Sequence, residues 1–342
     1  MSNRNSNSSL GLTLRPNTLQ EAIRYFSDEQ VCINTVARLR WPDGVECPAC
    51  LTRDPYYLKT QKRWKCRQCA RQFSVKLNTV FEDSAVPLQK WLPALWLLSN
   101  CKNGVSSWEI HRALGVTQKT AWFMLHRLRL VLRGTDMGTK LGGAQSEVEC
   151  DETFIGGKLQ NMHKDKKQAY RGSGGAVRNK TIVMGQLDRD AGQVRAQIIP
   201  FAQRDYMHKN VQKNVKYGSK LYTDQHIGYD GLRHRYDHQT VNHMEEYVRG
   251  RVHTNGIENF WSLLKRQLGG TYVSVEPYHL HRYVDEQVFR FNNRATRKVN
   301  RTDADRFETA LAQVARKRLT YAELTGKDGW NGKPSATTPE PF

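Results

Sequence analysis

Four cysteines near the start of the chain form two pairs, and each pair is separated by two residues. Cys47 and Cys50 lie in CPAC, and Cys66 and Cys69 lie in CRQC, with 15 residues between the pairs. This spacing is typical of two knuckles that place four thiolates around one Zn²⁺. Because all four ligands would be protein atoms, we expect a closed structural site without an open position for catalysis. A redox pair is the alternative interpretation.

Three acidic residues in the second half are candidates for a different chemistry. Asp151 lies in the strand-like EVECDETF, Asp224 ends the strand-like KLYTD, and Glu258 lies near the start of the helix-like NGIENFWSLLKR. Such residues could converge at one edge of a sheet, where divalent ions would relieve their repulsion. Hard oxygen ligands favour Mg²⁺ or Mn²⁺, and two such ions would support phosphoryl transfer at a phosphodiester. Each acid alone is more often a solvated charge or a helix cap.

The helix that carries Glu258 also carries two cations. Lys265 follows Glu258 by seven residues, close to two helical turns, so both lie on one face. We interpret Lys265, extended by Arg266, as a phosphate-binding cation beside a metal ligand, although ordinary charge patterning is the alternative. Trp261 and Leu264 are expected to pack toward the core.

A cluster of histidines lies between the second and third acids. Its members are His226, His234, His238, His243 and His253. Their spacings do not match a zinc knuckle, so loop and DNA-facing roles are favoured over a metal site. We assign none of them as a catalytic acid or base.

The net charge of the chain is +20, from 53 basic and 33 acidic residues. This excess indicates a polyanionic partner, and nucleic acid is favoured over an anionic membrane surface because no amphipathic anchor or lipidation signal is evident. No run of 18 apolar residues predicts a membrane span, and the polar N-terminus lacks a secretion signal. We therefore expect a cytoplasmic protein, where paired cysteines favour metal over disulfides.

The first half of the chain divides into short segments around the cysteine pairs. Residues 1–17 are Asn/Ser-rich and predict a disordered tail, whereas 18–42 has apolar residues at helical spacing and predicts a short helical segment. Residues 43–78 form the cysteine module. Residues 87–133 contain a helix, a turn at Gly115 and a second, basic helix, which is the helix-turn-helix pattern.

The second half alternates between strand-like and helix-like segments. Residues 145–295 begin with three strand-like segments, of which the second and third suggest a hairpin joined at Asp190–Gly192. A helix, another strand and mixed elements follow, which is an α/β layer pattern. The basic, Gly-rich stretch between Lys158 and Lys180 predicts a loop. Residues 296–342 predict a helical extension and a polar tail.

Cations that alternate with aromatic side chains suit contacts with phosphates and bases. The cysteine module mixes several cations with Tyr56, Tyr57, Trp64 and Phe73. A protein-contact ribbon with a solvated basic face is the alternative. The predicted DNA contacts are Arg63, Lys65, Arg67, Arg71, Lys119, Arg127, Arg129, Lys265 and Arg266.

Several segments resemble a known family. ECDETFIGGK, LYTDQHIGY and VHTNGIENFWSLLKRQLGGTYVSVEPYHLHRYVDEQVFRFNNR resemble the DDE transposases of bacterial insertion sequences, in the ISXO-like branch related to eukaryotic Merlin elements. WPDGVECPAC and WKCRQCARQFSV resemble the zinc-ribbon domain that precedes this catalytic domain. The resemblance covers about residues 18–295, and the third block is its most specific motif.

The resemblance implies a multidomain protein, in which a zinc ribbon and a helix-turn-helix region precede an α/β RNase H-like catalytic domain. It implies that Asp151, Asp224 and Glu258 hold two Mg²⁺ or Mn²⁺ ions, and Lys265 matches the basic residue that follows the final acid of the family. It further implies cleavage at the transposon end, which frees a 3′-hydroxyl for attack on target DNA. The partners would be double-stranded transposon ends and target DNA. A homodimer or larger assembly would join the two ends near the bacterial nucleoid.

Two rival functions remain open. A DNA-binding regulator would share the zinc ribbon and the helix-turn-helix, but it gives no reason for the three acids with Lys265. An RNase H-like nuclease or junction resolvase that cuts without joining would share the acids. The N-terminal DNA-reading segments favour site-specific binding of transposon ends over this second rival.

Overall fold

The computed structural model of the chain describes residues 15–134, 138–157, 164, 180–241, 251–297 and 299–326. Most of the predicted N-terminal tail, His243, nearly all of the predicted loop after Lys158, and residues 327–342 of the predicted polar tail lie outside the described residues. The helices are α1 (Leu19–Tyr25), α2 (Glu29–Arg40), α3 (Leu88–Asn100), α4 (Ser107–Leu114), α5 (Gln118–Leu132), α6 (Arg204–Asn214), α7 (Asn255–Gln267), α8 (Leu280–Asn292), α9 (Asp303–Leu311) and α10 (Tyr321–Thr325). The strands are β1 (Pro55–Leu58), β2 (Arg63–Cys66), β3 (Gln72–Phe73), β4 (Glu147–Ile155), β5 (Thr181–Asp188), β6 (Gln193–Ile199), β7 (Lys220–Asp224) and β8 (Asp237–Val241).

The cysteine module folds as a three-stranded antiparallel sheet in the order β1-β2-β3. Each cysteine pair lies in a turn whose following residue, Leu51 or Ala70, has a positive φ of 61° or 57°. The two turns repeat one hydrogen-bond pattern, because the N–H of the first cysteine of each pair donates to a carbonyl five residues later, at 2.9 Å in both. Repeated backbone geometry at the two pairs gives the two knuckles that the spacing predicts.

The helices α4 and α5 have the boundaries that the sequence predicts. Ser106 accepts a hydrogen bond from the N–H of Glu109, whose carboxylate accepts from the N–H of Ser106, so a capping box begins α4. Gly115 ends α4 in the left-handed region at φ 59°, where glycine carries no Cβ penalty. Thr117 caps α5 through the N–H of Thr120. The turn between the two helices is therefore fixed by neighbouring residues: Gly115 ends α4, and Thr117 begins α5.

A first core joins the zinc-ribbon sheet to the N-terminal helices and to the C-terminal extension. Trp64 of the sheet lies 5.6 Å from Trp41, between ring centroids, at the end of α2. Phe307 of α9 lies 5.3 Å from both Phe26 and Trp96. The helical extension that was predicted after residue 296 thus returns to the N-terminal half, which local sequence patterns do not indicate.

The second half contains a five-stranded sheet in the order β6-β5-β4-β7-β8. Strand β5 pairs antiparallel with both β4 and β6, whereas β7 pairs in parallel with both β4 and β8. The predicted hairpin is confirmed by the β5–β6 pair. The central strand β4 thus has an antiparallel neighbour on one side and a parallel neighbour on the other.

Helices cover both faces of this sheet. One apolar core lies between the sheet and α7 with α8, and it includes Ile257, Trp261 and Leu264. Another core lies on the α6 side and includes Met207 and Val211. The prediction that Trp261 and Leu264 are core residues is confirmed by exposures of 4% and 0%. Across the part of the chain that the structure describes, no helix is both long enough and apolar enough to cross a membrane.

Candidate functional site

The four paired cysteines form one cluster. The Sγ atoms of Cys47 and Cys69 lie 3.6 Å apart, those of Cys50 and Cys66 lie 3.5 Å apart, and all four lie within 4.8 Å of one another. Zn–S bonds of about 2.3 Å would separate the sulfurs of a tetrahedron by about 3.8 Å. The cluster therefore fits a structural zinc ion, and all seven cysteines of the chain are free thiols.

Neighbouring polar groups support thiolate character in this cluster. The Thr52 hydroxyl lies 3.1 Å from Cys50 Sγ, and hydrogen bonds from Thr52 lower the pKa of the Cys50 thiol to about 6. The N–H of Cys69 donates to Cys66 Sγ at 3.5 Å. The lowered pKa of Cys50 favours the deprotonated form that binds zinc. The Arg71 backbone lowers the pKa of Cys69, but burial and hydrogen bonds with the other cysteines outweigh it and raise that pKa to about 11, so this thiol would lose its proton to the bound ion.

The predicted DNA contacts of the zinc ribbon lie at its surface. Arg63, Arg67 and Arg71 are exposed, and Lys65 is partly exposed. Arg67 forms a surface ion pair with Asp54 at 3.3 Å, whereas among the described residues no ion pair engages the other three. These side chains are accessible to a partner of negative charge.

Asp151 lies on the central strand β4, on the face covered by α7. Trp261 Nε1 donates to Asp151 Oδ2 at 2.9 Å, which orients the carboxylate from the helix. Burial raises the pKa of Asp151 to about 7, and the nearby charges of Glu152 and Asp224 contribute to the shift. A buried carboxylate with acidic neighbours has excess negative charge that a divalent cation would compensate.

Asp224 ends β7, the strand that pairs in parallel with β4. The backbone N–H of His226 donates to Asp224 Oδ1 at 3.1 Å. Glu152, which the sequence analysis did not select, accepts a hydrogen bond from Tyr229 Oη at 2.7 Å. Burial raises the pKa of Glu152, and the charge of Asp224 adds to that effect. We refer to Asp151, Glu152 and Asp224 as the acidic edge of the sheet.

Glu258 lies in the first turn of α7, one turn before Trp261. It is partly buried, and its Oε1 accepts a hydrogen bond from Thr254 Oγ1 at 2.7 Å. Within the described ranges, no three carboxylates or histidines gather within 4.8 Å as the sulfurs do. The structure thus brings Asp151 and Asp224 near each other and places the helix of Glu258 against Asp151. Lys265 and Arg266 are exposed near the end of the same helix.

Two predicted DNA contacts on α5 are wrong, because their side chains are buried. Arg127 is 4% exposed and donates to the carbonyl of Glu82 at 2.7 Å. Arg129 is 1% exposed, and its Nε donates to Glu286 Oε2 at 2.6 Å beneath the ring of Tyr283. A cation that is neutralised inside the protein does not reach DNA. Lys119 at the start of α5 is exposed.

The histidines take different positions. His238 is 8% exposed with its Nε2 2.9 Å from Thr223 Oγ1, so a DNA-facing role is wrong for this residue. The Nδ1 of His226 accepts from the N–H of Gly228 at 3.0 Å, and His234 is exposed. The Nδ1 of His253 lies 2.8 Å from Arg189 Nη2. Among the described residues, none of these histidines belongs to a group of three or more metal-ligating side chains.

Sequence reasoning also missed the polar residues beneath the acidic edge. Glu149 is 1% exposed and accepts hydrogen bonds from Arg189 and from the backbone of α7. The alternation of acidic and apolar residues in EVECDE was the available signal, because a period of two places Glu149 and Asp151 on one face.

Comparisons with known proteins agree with the two parts of the structure. Residues 140–292 match the family model of the ISXO2-like transposase domain, and residues 27–72 match that of the transposase zinc-ribbon domain. A protein of Halobacterium salinarum, described as an uncharacterized protein in transposable element ISH50, is 27% identical over 257 residues. That match covers 72% of this chain and 85% of the relative.

A comparison with solved structures gives the simian T-cell lymphotropic virus intasome in complex with PP2A regulatory subunit B56 gamma. The match has 12% identity and a TM-score of 0.26, and it covers 52% of this chain and 63% of that chain. This chain thus spans less than two thirds of the length of that solved chain.

Proposed function

Since the chain carries a transposase zinc-ribbon domain followed by an ISXO2-like transposase domain, as its motifs predicted, we propose that it is a DDE transposase. It binds the terminal inverted repeats of its insertion sequence and catalyses metal-dependent DNA cleavage and strand transfer. The observation that carries the proposal is the meeting of Asp151 and Asp224 on adjacent parallel strands, inside the matched transposase domain. The strand order β6-β5-β4-β7-β8 supports an RNase H-like catalytic fold.

The catalytic ions of the proposal are Mg²⁺ or Mn²⁺, and Asp151, Asp224 and Glu258 would hold them. Their carboxylates are hard oxygen donors, and the charge of Asp224 acts on the buried Asp151 strongly enough to raise its pKa. A pair of such ions, when bound, activates an attacking oxygen and stabilises a leaving oxygen at a phosphodiester.

The side chains around the ligands have positioning roles in this proposal. Trp261 holds the Asp151 carboxylate in one orientation, and the backbone of His226 does the same for Asp224. Lys265 and Arg266 are exposed on the helix of Glu258, where cations would contact the phosphates of bound DNA. The excess of basic residues over the whole chain supports a DNA substrate.

Recognition of the transposon ends is proposed for the N-terminal half. The exposed cations of the zinc ribbon and Lys119 at the start of α5 would contact DNA, with α4 and α5 as the helix-turn-helix. Both ends must be joined in one reaction, so we propose a homodimer or larger assembly acting in the cytoplasm.

The test is the variant Asp224→Asn, assayed with a labelled transposon end in Mg²⁺. We expect end cleavage and strand transfer to fall by more than about a hundredfold, because even loss of an outer-shell partner costs about 10- to 100-fold. End binding should change little. Asp237→Asn is the matched control, since Asp237 is exposed at the opposite end of the neighbouring strand.

Three outcomes separate the proposal from its rivals. Wild-type strand transfer by Asp224→Asn would refute the site. Cleavage without joining by the natural chain would identify a nuclease. Specific end binding with no cleavage in Mg²⁺ or Mn²⁺ would identify a DNA-binding regulator.

A further inference from the structure

The face of β4 that packs against α7 is acidic. Glu147, Glu149 and Asp151 alternate along the strand, so their side chains share this face. Glu147 and Glu149 are 6% and 1% exposed. Buried carboxylates are costly unless partners compensate them, so the partners of each residue indicate what it does.

Glu149 contacts the N-terminus of α7. The N–H of Ile257, the third residue of the helix, donates to Glu149 Oε2 at 2.8 Å. The first N–H groups of a helix lack internal partners and favour negative charge. Gly256 permits the close approach, because a Cβ there would lie 2.3 Å from Leu187 Cδ2 and 2.9 Å from Glu149 Oε2. The start of the helix therefore lies directly on this carboxylate.

Arg189, in the turn between β5 and β6, fixes the same carboxylate. Its Nε donates to Glu149 Oε1 at 2.6 Å. It also donates to the backbone carbonyls of Arg251 and His253, both at 2.7 Å, in the segment that enters α7. Its guanidinium lies 4.7 Å from the ring centroid of Tyr222 on β7. One cation thus joins β4, β7 and the approach to the helix.

These contacts lie two residues before the acidic edge along β4 and β7. Glu149 is the register partner of Tyr222 in the parallel pair of β4 and β7. Asp151 and Asp224 each lie two residues further along the same two strands. We refer to Glu149 and Arg189 as the clamp. It contacts both strands that carry the acidic edge, because Glu149 lies on β4 and Arg189 packs on Tyr222 of β7.

The helix α7 has two attachments to β4 that match in spacing. Ile257 meets Glu149, and Trp261 meets Asp151. Four residues of helix rise about 6 Å and two residues of strand rise about 6.6 Å, so both contacts form together. Glu258 lies between the two attachments along the helix. Movement of either attachment would move Glu258 relative to the acidic edge.

We propose that Glu149 is a positioning residue that sets the register of α7, and with it Glu258, against Asp151 and Asp224. Both carboxylate oxygens of Glu149 already accept hydrogen bonds, Oε1 from Arg189 and Oε2 from Ile257. Glu149 therefore acts through the helix and does not itself bind an ion. The inference rests on the proposed function, because it assumes that the three acids share ions. Ion binding at the edge should then depend on a residue outside the ligand set.

The test compares Glu149→Gln with Glu147→Gln in the full chain. An amide offers one acceptor oxygen where Glu149 uses two, so the variant must lose either Arg189 or Ile257. Glu147 also accepts from Arg189, at 3.0 Å, and from Arg251, but among the described residues it has no hydrogen bond with a group of α7. Both variants remove one buried negative charge beside the same cation, which makes them a matched pair.

The first readout is a Tb³⁺ titration, in which tryptophan excitation reports ions beside Trp261. We expect Glu149→Gln to raise the half-saturating Tb³⁺ concentration about tenfold and to lower kcat of strand transfer about 10- to 100-fold, the cost of losing an outer-shell partner. The KM for transposon ends should stay within about threefold, and Glu147→Gln should stay within about threefold in every readout.

Gly256→Ala tests the same clamp from the helix side without removing a charge. It should weaken Tb³⁺ binding in the same direction, which keeps the proposal testable if Glu149→Gln folds poorly. Equal Tb³⁺ titrations of Glu149→Gln and Glu147→Gln would overturn the clamp. Asp224→Asn is run beside them: unchanged Tb³⁺ binding in that variant contradicts the proposed function instead, so the two failures are distinguishable.

Discussion

The cysteine cluster and the acidic edge are both candidate metal sites, but the chain assembles them in opposite ways. Four sulfurs come from two turns of one small sheet and lie within 4.8 Å of one another. Asp151 and Asp224 come from strands far apart in the sequence, and Glu258 comes from a helix. Within the described residues, no three of these carboxylates gather as closely as the sulfurs. The four sulfurs are therefore close enough to share one ion, whereas the acids are spread over three elements of the fold.

This difference shows which site supports the fold. The three short strands of the zinc ribbon cannot bury a core of their own, so a bound ion substitutes for apolar packing. The five-stranded sheet instead has an apolar core on each of its faces. Burial raises the pKa of Asp151 in this sheet, so its ionised carboxylate reduces the stability of the fold until a cation compensates it. Removal of a ligand should destabilise the zinc ribbon but stabilise the ion-free sheet.

The largest expected effect is that of Cys66→Ser in the zinc ribbon. Loss of one thiolate opens the tetrahedral site, and structural zinc in small domains contributes about 10–16 kcal/mol of apparent binding free energy. We expect bound zinc to fall from one equivalent to near zero, and the amides of residues 43–78 to lose protection from hydrogen exchange. Metal analysis and exchange measurements on the full chain check this result.

Cys101→Ser is the control for that variant. Cys101 is partly buried at the end of α3 and lies outside the sulfur cluster. It should keep one equivalent of zinc and a protected ribbon. A full zinc content in Cys66→Ser would show that the four sulfurs are not the site.

The next largest effect is an increase in stability, and it is expected for Asp151→Asn. Burial raises the folded-state pKa of Asp151 to about 7, above the unfolded value of 3.8. Between these values the folded protein retains a proton that the unfolded chain releases, so stability falls as the pH rises. Asparagine removes this penalty. We expect the ion-free variant to be more stable than the natural chain at pH 8, by about 1–3 kcal/mol, and equally stable near pH 4.

Chemical unfolding at both pH values measures this difference. Added Mn²⁺ should stabilise the natural chain and leave the variant nearly unchanged, which would reverse their order. Asp237→Asn is the control: it keeps Asp151 and changes only an exposed residue, so its stability should match that of the natural chain at both pH values. A variant that is less stable than the natural chain at pH 8 without ions would contradict the comparison between the two sites.

The sequence predicted the zinc ribbon well because its determinants are local. The paired cysteines, the turn after each pair and the caps of α4 and α5 all depend on residues within a few positions of each other. The order of helices and strands followed from apolar periodicity for the same reason. Asp151 and Asp224 could be selected as candidates, since each occurs in or at the end of an apolar strand.

The partners of buried charges could not be predicted in the same way. The position of Arg129 on a basic helix indicated a DNA contact, because its actual partner, Glu286, lies 157 residues away in the sequence. The ion pair exists only because α8 packs against α5. Glu149 and Arg189 likewise meet through sheet topology. The sequence shows that a residue is charged, but only the fold shows whether that charge already forms an ion pair inside the protein.

The smallest expected effect returns to the surface of the zinc ribbon. Arg63 and Arg71 are exposed and have no ion-pair partner among the described residues. The slope of log affinity against log salt is negative and becomes steeper with each phosphate contact. If each arginine contacts one phosphate, Arg63→Gln and Arg71→Gln should each make the slope less negative by about 0.9. Binding to transposon ends, measured from 50 to 200 mM salt, gives the slope.

The exposed Lys216 provides the control, since it lies just before β7, at the end of the sheet opposite the acidic edge. Lys216→Gln should leave the slope unchanged. An equal reduction in the steepness of the slope for all three variants would indicate diffuse attraction by the net charge of +20 instead of contacts through the zinc ribbon. An unchanged slope in both ribbon variants, with binding still lost in Cys66→Ser, would make the ribbon a protein-contact module. Its zinc would then hold other subunits or domains in place, and phosphate binding would belong to the half of the chain that carries the acids.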